Sequence, residues 1–435
     1  MKASNYTERK TAIQLLRSGK SASEVAKILK RSQSWVYKWR DRYEKGGRGG
    51  LQDQSRAPKS HPNELPKQVK REIRKARSEL EAEAEEPGKL VYIGAPAIKD
   101  RLRKRKIRPL PSIGSIEREL RNAGMTNPRQ TEEPPKVKYP HLQPVRAHQL
   151  VQFDIFPHYL PGGACAACFN AIDVVSRYPA GIPSLTKRSV DAVQILLHVW
   201  RELGVPDYTQ VDNESCFSGG FTHPHVLGKV LRLALLVGTE LIYSPFYHPE
   251  SNGTVERFHQ DYDRNVWKKI EIPDLQAVRD YSPIFFAAYR MSRHHSALRG
   301  KSPAEIHLAR PFHKLPASFR LPAKLPLTAG KVHFIRQVDQ SRKVRILNVD
   351  WDVPLAKPDQ GVWATLEISH HQAKLRIYNE TPEAKRRRCL ASHSFPIKDP
   401  VVPLQDKFRR SHRPQRSAWL ISSARWITNW LSTML

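Results

Sequence analysis

Three acidic residues stand where metal-assisted phosphoryl chemistry could be done. Asp154 lies in Val151-Gln-Phe-Asp-Ile155, at the end of the first predicted strand of its region. Asp212 follows the apolar run ending at Val211, in Gln210-Val-Asp-Asn-Glu-Ser215. Glu256 sits in Asn252-Gly-Thr-Val-Glu-Arg-Phe-His259, one turn inside a predicted helix that opens after a loop rich in Pro, Gly and Asn. Any one such acid is more often a solvated surface group, and the reading rests on the three contexts together. Adjacent strand ends on one edge of a sheet converge, so both aspartates can reach the spot that the helix-borne glutamate faces. Magnesium prefers hard oxygen donors and keeps waters and substrate phosphate. A cluster of about −3 suits two divalent ions, Mg2+ or Mn2+, roughly 4 Å apart. Such a pair acts from both sides of a phosphodiester, activating water or a 3′-hydroxyl for in-line attack and stabilising the leaving 3′-oxygen, with no covalent protein intermediate.

Neighbouring groups have weaker claims. Asp173 is read as a strand end or a partner of Arg177, with an outer carboxylate role second. Glu214 is read as solvated before it is read as an auxiliary ligand. His259, one helical turn past Glu256, is a lesser candidate for a metal or DNA contact. Arg257 and Lys268 are expected to meet phosphate, and Asn252 and Gly253 to form the tight loop that aims Glu256. Cys165 and Cys168 make a C-x-x-C, but they lie in an apolar strand with no second pair at zinc spacing and are read as core.

The elements that must position the acids follow from the pattern around them. Leu150 to Phe156 and Ala164 to Val175 read as strands, Ser189 to Leu203 as a helix and Tyr208 to Val211 as a buried strand. Val226 to Val237 reads as a helix, Leu241 to Tyr243 as a strand, Ser251 to Ile270 as a helix, and Ile284 to His295 as a closing helix after Pro283. This order predicts a mixed α/β sheet with helices on its faces over residues 148–310. From Val332, short strands at about ten-residue spacing predict a small β-barrel over residues 311–400. Residues 401–435 read as a basic tail with an amphipathic helix from Trp419 to Leu435.

Ahead of the core, residues 127–147 form a proline-rich linker. Residues 59–126 hold predicted helices at Pro66 to Glu85, Ala95 to Lys104 and Ser112 to Asn122, read as a second helical DNA-binding module. Residues 1–58 begin with helices at Thr7 to Arg17 and Ser21 to Leu29 and a third capped by Ser32. On the third, Val36, Trp39 and Tyr43 face inward, while Gln33, Ser34, Tyr37, Lys38 and Arg40 face outward. A helix, a short turn and a second helix with a polar, basic outer face is the geometry that enters a major groove. The linker that follows, Gly50 to Pro58, brings Arg56 toward phosphate.

The charge balance agrees. In 435 residues Lys and Arg number 73 and Asp and Glu 42, a formal net charge of +31, which favours a nucleic-acid partner. Four cysteines exclude a disulfide scaffold. The N-terminus has no signal-peptide core and no run of 18 apolar residues appears, so the expectation is an intracellular protein with no membrane span.

The series Gln-Phe-Asp154, Val-Asp212-Asn and Asn-Gly-Thr-Val-Glu256-Arg-Phe-His resembles the integrase-core transposases of bacterial insertion sequences, relatives of retroviral integrases. Ile172-Asp-Val-Val-Ser-Arg-Tyr178 resembles that family's second strand, and Ser302-Pro-Ala-Glu305 its sequence after the last core helix. The resemblance extends over most of residues 6–400. It implies a multidomain α+β chain with N-terminal helix-turn-helix modules, a ribonuclease-H-like catalytic core and a small C-terminal β-barrel. It implies a DDE metal triad of Asp154, Asp212 and Glu256. It further implies cleavage at transposon ends and strand transfer into target double-stranded DNA by a homo-oligomer in a synaptic complex, in the cytoplasm near the nucleoid. The chain departs from the family in three places. The 43 residues between Asp212 and Glu256 exceed the usual interval, with the excess expected as a loop within Ser218 to Val237. Glu214 stands where Gly is frequent. Gln260 or Asp263 stands where retroviral relatives often have a basic residue. The rival readings are a regulated integrase with a different target, a sequence-specific DNA-binding regulator with an inactive integrase core, and a nuclease for RNA–DNA hybrids. The intact triad disfavours the regulator, and the helical DNA modules disfavour the hybrid nuclease.

Overall fold

The structure is a computed structural model that describes residues 5–53, 64–86, 89–126, 137–219, 223–246 and 248–409. Arg56, residues 127–136 of the proline-rich linker and the expected terminal helix lie outside the described residues. Two units divide the chain, residues 1–66 and 67–435.

Serine caps set the geometry of the first unit. Helices α1 (Asn5–Arg17), α2 (Ala22–Leu29) and α3 (Gln33–Gly46) follow one another with short turns. The Ser21 side chain accepts from the Glu24 amide while the Glu24 carboxylate accepts from the Ser21 amide, a reciprocal cap that starts α2. Lys30 takes a left-handed conformation that ends α2, and Ser32 caps α3. Ala12, Val25, Ala26 and Val36 form the core between the helices. Ile13, Trp39 and Leu51 form a second patch, and Arg9 lies over the Trp39 ring and donates to the Leu51 carbonyl.

The second unit opens with α4 (Lys67–Glu85), α5 (Ala95–Lys104) and α6 (Ile113–Asn122). Helix α4 buries Val69, Ile73, Ala76 and Leu80, the 4-3-4 spacing of one helical stripe. It packs on α5 and α6. Ion pairs of Arg101 with Glu83 and of Arg74 with Glu119 lie outside that apolar seam.

The core alternates as β1 (Leu150–Tyr159), β2 (Cys165–Asp173), β3 (Pro179–Ser184), α7 (Ser189–Leu203), β4 (Tyr208–Val211), α8 (Ser215–Ser218), α9 (Lys229–Val237), β5 (Glu240–Tyr243), α10 (Gly253–Tyr262), α11 (Leu275–Met291) and α12 (Pro303–His307). Strands β1, β2 and β3 form an antiparallel meander, and β4 and β5 run parallel to β1. Because strand side chains alternate between faces, β2 serves two cores. Ala167, Phe169 and Ala171 pack with α7 and α9, while Ala166, Cys168 and Ile172 pack with α10 and α11.

Four sequence expectations change. Strand β3 was not foreseen; its two prolines suit an edge position, where a missing N–H costs least. Helix α11 begins at Leu275 under an Asp274 cap and runs through Pro283 rather than starting after it. The predicted helix Ser251 to Ile270 is α10 followed by a π turn over Asp263–Trp267. Helix α9 starts at Lys229, and the stretch before it packs on the C-terminal strands, with the His225 amide donating to the Leu347 carbonyl.

The remaining elements are β6 (Leu327–Thr328), β7 (Gly330–Gln337), β8 (Lys343–Ile346), β9 (Val349–Asp352), β10 (Gly361–Ile368), β11 (Ala373–Tyr378), β12 (Cys389–Phe395) and β13 (Val401–Val402). The strands occur where expected, but their pairing is not that of a separate barrel. β7 pairs in parallel with β5, Tyr243 opposite Phe334, and continues the core into one nine-stranded sheet of order β12-β11-β10-β7-β5-β4-β1-β2-β3. The outer strand β12 pairs with β11 alone and closes no ring among the described residues. Strand spacing gives no information about which neighbour a strand chooses. Here the free edge of β5 supplies one, with the Tyr243 and Phe334 rings stacked 5.0 Å apart.

Candidate active site

Register brings the two aspartates together. Gln152 on β1 lies opposite Gln210 on β4 in a parallel pair. Two residues further along are Asp154, still within β1, and Asp212, the first residue past the end of β4. Asp154 is not at the end of β1 as the sequence suggested. The strand runs on to Tyr159 because β2 continues to pair with it, and Asp154 sits where β4 stops. Its carboxylate accepts from the Ile155 amide at 2.8 Å, and that of Asp212 accepts from the Glu214 amide at 3.0 Å.

The same two glutamines seat the helix that carries Glu256. The Gln152 carbonyl oxygen accepts from the Thr254 and Val255 amides, both at 3.1 Å, so it fills two of the orphan donors at the start of α10. Gln152 and Gln210 both donate to the Ser251 carbonyl, at 2.9 and 2.8 Å. Gln210 also donates to Asn252 Oδ1 at 2.8 Å and Ser244 Oγ at 3.0 Å. Both glutamines are buried. Asn252 therefore fixes the loop through its side-chain oxygen, though it makes no side-chain cap to α10. Arg177 adds a bond to Thr254 Oγ1 at 2.6 Å. The glutamines were overlooked in the sequence; the available signal was their identical place, two residues before each aspartate.

The acids act on one another electrically. Asp154 is pushed up to about 7, first by burial and then by the negative charge of Asp212, with Glu214 and Glu256 adding to it. Burial and then the Glu214 charge raise Asp212 to about 6, against the pull of its hydrogen bond and of Lys187. Glu256 is raised by burial and by Glu250. Mutually repelling carboxylates that resist ionisation are a donor set that a hard divalent cation would relieve. Their oxygens are not drawn into one tight cluster. Among the described residues the three-residue group with ligand atoms all within 4.8 Å is His148, Asp173 and His307. That group is already satisfied internally. Asp173 accepts from the His148, Val175 and Ser176 amides, and the two histidines bond to the carbonyls of His307 and Leu203. Asp173 thus ends β2 as a latch.

His259 lies beside Asp154. It is buried against Phe156 with Nδ1 3.8 Å from Asp154, and burial lowers it to about 3, leaving it neutral. Glu214 pairs with Lys187 at 3.2 Å. Arg257 is exposed and bonds Gln260, and Lys268 is exposed and pairs with Asp263 at 2.6 Å. Both line a cavity of about 770 Å3 between α4 and the start of α10, together with Arg77, Arg177, Arg264 and Lys269 and, in smaller number, the acids Glu81, Glu85 and Asp261. In the first unit, Gln33, Ser34, Tyr37, Lys38 and Arg40 all lie on the exposed face of α3, opposite buried Val36 and Trp39.

Two stretches match protein families: residues 9–70 match a winged helix-turn helix, and residues 237–303 match an integrase core domain. The chain thus carries a segment of an integrase core domain. The matched core segment runs from the end of α9 to the start of α12 and contains Glu256, while Asp154 and Asp212 precede it. Among solved structures, the chain is similar to the HTLV-2 integrase catalytic core domain in complex with magnesium, at 15% identity over 38% of this chain and 99% of that one, with a TM-score of 0.30. It is similar to chains of the simian T-cell lymphotropic virus intasome, at 15% identity over 70% of this chain and 93% of that one, TM-score 0.34. The BIV integrase catalytic core gives 18% identity over 37% and 94%, TM-score 0.28. Among the described residues, no helix is long and apolar enough to cross a membrane.

Proposed function

We propose that this chain is a DNA transposase that binds transposon ends and carries out phosphodiester hydrolysis and strand transfer into target DNA. The observation that carries the reading is the shared register of β1 and β4. It sets Asp154 beside Asp212, while the glutamines just before them hold the helix of Glu256. Asp154, Asp212 and Glu256 would hold Mg2+ or Mn2+, two ions by their charge. When bound, these supply Lewis-acid activation of the attacking oxygen and charge stabilisation of the leaving one. Neutral His259, stacked on Phe156, walls the inner side of Asp154 and limits water there. Arg257 and Lys268, with the basic cavity they line, track the phosphate backbone. The exposed face of α3 reads the major groove. Two ends are brought together by a homo-oligomer, and the chain works at the nucleoid.

The test is incubation of the full chain with supercoiled plasmid bearing the sequences that flank its gene, with Mg2+ or Mn2+. Nicking and joining are expected, and Glu256→Gln should abolish both while leaving DNA binding intact. Undiminished cutting by that variant would sink the mechanism. Tight end binding without cutting under either metal would support the regulator with an inactive core instead.

A further inference from the structure

A second cavity borders the loop that follows Asp212. It has a volume of about 270 Å3, and its lining includes Asn213, Ser218, Phe246, Phe334, Arg336 and Arg345. Arg336, on β7, is only 5% exposed. Its guanidinium donates to the carbonyls of Arg345, Ser244 and Ile335 and to Asn213 Oδ1, at 2.8 to 3.1 Å. Every one of these acceptors is neutral. They satisfy its hydrogen bonds but not its charge, and a buried charge without a counter-ion costs several kcal/mol. Burial brings it down to about 9, so it stays cationic near neutrality. The Phe246 and Phe334 rings lie 4.4 and 5.5 Å from it.

Three further features of the cavity point the same way. The Arg345 side chain is exposed and, among the described residues, pairs with Asp350 at 3.5 Å, an exposed pair that salt screens. The Ser218 hydroxyl is buried with no hydrogen-bond partner among the described residues. Phe246 is 40% exposed, and among the described residues the lining includes no acid. Two cations, an orphan hydroxyl and an open aromatic face suit an anion joined to a flat ring. The volume lies below the roughly 300–1,000 Å3 of a pocket for a whole small molecule, so the occupant is one unit of a larger chain. Asn213 links the cavity to Asp212, its neighbour in sequence.

We infer that this cavity takes one unpaired nucleotide of the DNA substrate, its phosphate at Arg345 and Ser218 and its base on Phe246. The inference rests on the DNA-processing reading and adds a site built by the C-terminal strands. A free nucleotide shares the chemistry, and the test separates the two sources. Binding of the full chain is measured by fluorescence anisotropy with a blunt duplex and with the same duplex carrying a short oligothymidine overhang. Thymidine monophosphate serves as competitor. The unaltered chain should prefer the overhang by about fivefold or more, the worth of one base on an aromatic ring. Phe246→Ala and Arg345→Gln should each erase that preference while changing blunt-duplex affinity by no more than about twofold. A 5-iodouracil in the overhang should cross-link to Phe246. Neither variant alters Arg336, whose loss would also release Asn213. Equal affinity of the unaltered chain for both duplexes, or a preference that survives both variants, overturns the inference. So does thymidine monophosphate that displaces the overhang duplex at the same concentration as unlabelled oligothymidine does. If the chain nicks plasmid but shows no overhang preference, the cavity assignment falls alone; if it binds neither duplex, the proposed function falls with it.

Discussion

Asp154 is the most perturbed of the three acids, and its perturbation has a sign that can be measured. Its folded-state value, about 7, lies above the usual aspartate value near 3.9. The fold therefore favours its protonated form. In metal-free protein the stability linked to Asp154 is fully present below about pH 4 and is lost as pH rises through 7. Melting followed in a chelator should thus show a falling Tm between pH 5 and pH 8, to which Asp212, raised to about 6, contributes. Asp154→Asn should flatten part of that fall and raise the metal-free Tm at pH 8. A lower Tm for the variant at pH 8 would mean that the carboxylate is not under the strain inferred for it. Added Mn2+ should raise the Tm of the unaltered chain at pH 8 more than at pH 6, because ligation requires ionised acids. On the DNA-reading face, Lys38→Ala should reduce the slope of log affinity against log salt by about 0.9, one phosphate's worth. An unchanged slope would remove Lys38 from the interface.

At the scale of elements, the link between strands and helix is the pair Gln152 and Gln210. Gln152→Ala leaves the Thr254 and Val255 amides without their acceptor, at about 1–3 kcal/mol for each buried group left unpaired. Gln210→Ala removes the bonds to Ser251, Asn252 and Ser244. Both variants should lower kcat for plasmid nicking by tenfold or more, about 1.4 kcal/mol in the barrier. Duplex affinity should fall far less than kcat, since the exposed face of α3 keeps its contacts and the phosphate contact that depends on the seating of α10 is that of Arg257. A rise in KM with kcat preserved would show that α10 is held by other means. The helices of the first unit were legible in sequence because their signals are local: Ser21, Glu24 and Ser32 lie within a few residues of what they cap. The start of α11 was not. Pro283 reads as a boundary, yet the buried face of Val278, Phe285, Phe286 and Tyr289 carries the helix across it.

At the scale of the molecule, the union of β5 with β7 changes what the C-terminal strands are for. A barrel of its own could be removed without harm to the core. A chain ending at Pro326 would instead expose the β5 edge, including Leu241 and Tyr243, and take Arg336 away from Asn213 and Ser244. We expect that shortened chain to be insoluble or rapidly proteolysed across residues 148–310, as judged by soluble yield and limited digestion. A stable, metal-binding core after the truncation would return the C-terminal strands to the status of a separate domain. The long interval between Asp212 and Glu256 fits the same picture: part of it packs on β8 and β9 through His225 and Leu347.

The sequence by itself determined which residues were candidates. Asp154, Asp212 and Glu256, the capped helices and the outward face of α3 each follow from residue type and short-range spacing. Hydrophobic period and capping chemistry act within one or two turns of chain, and they are printed in the local sequence. The tertiary structure decided everything that depends on which segments meet. It set Gln152 opposite Gln210, ran both glutamines into the loop before α10, placed His259 against Asp154, and joined β7 to the free edge of β5. These are contacts between segments about 50 to 100 residues apart, and any strand edge or buried amide offers the same bonds to many partners. Only the packed arrangement selects among them.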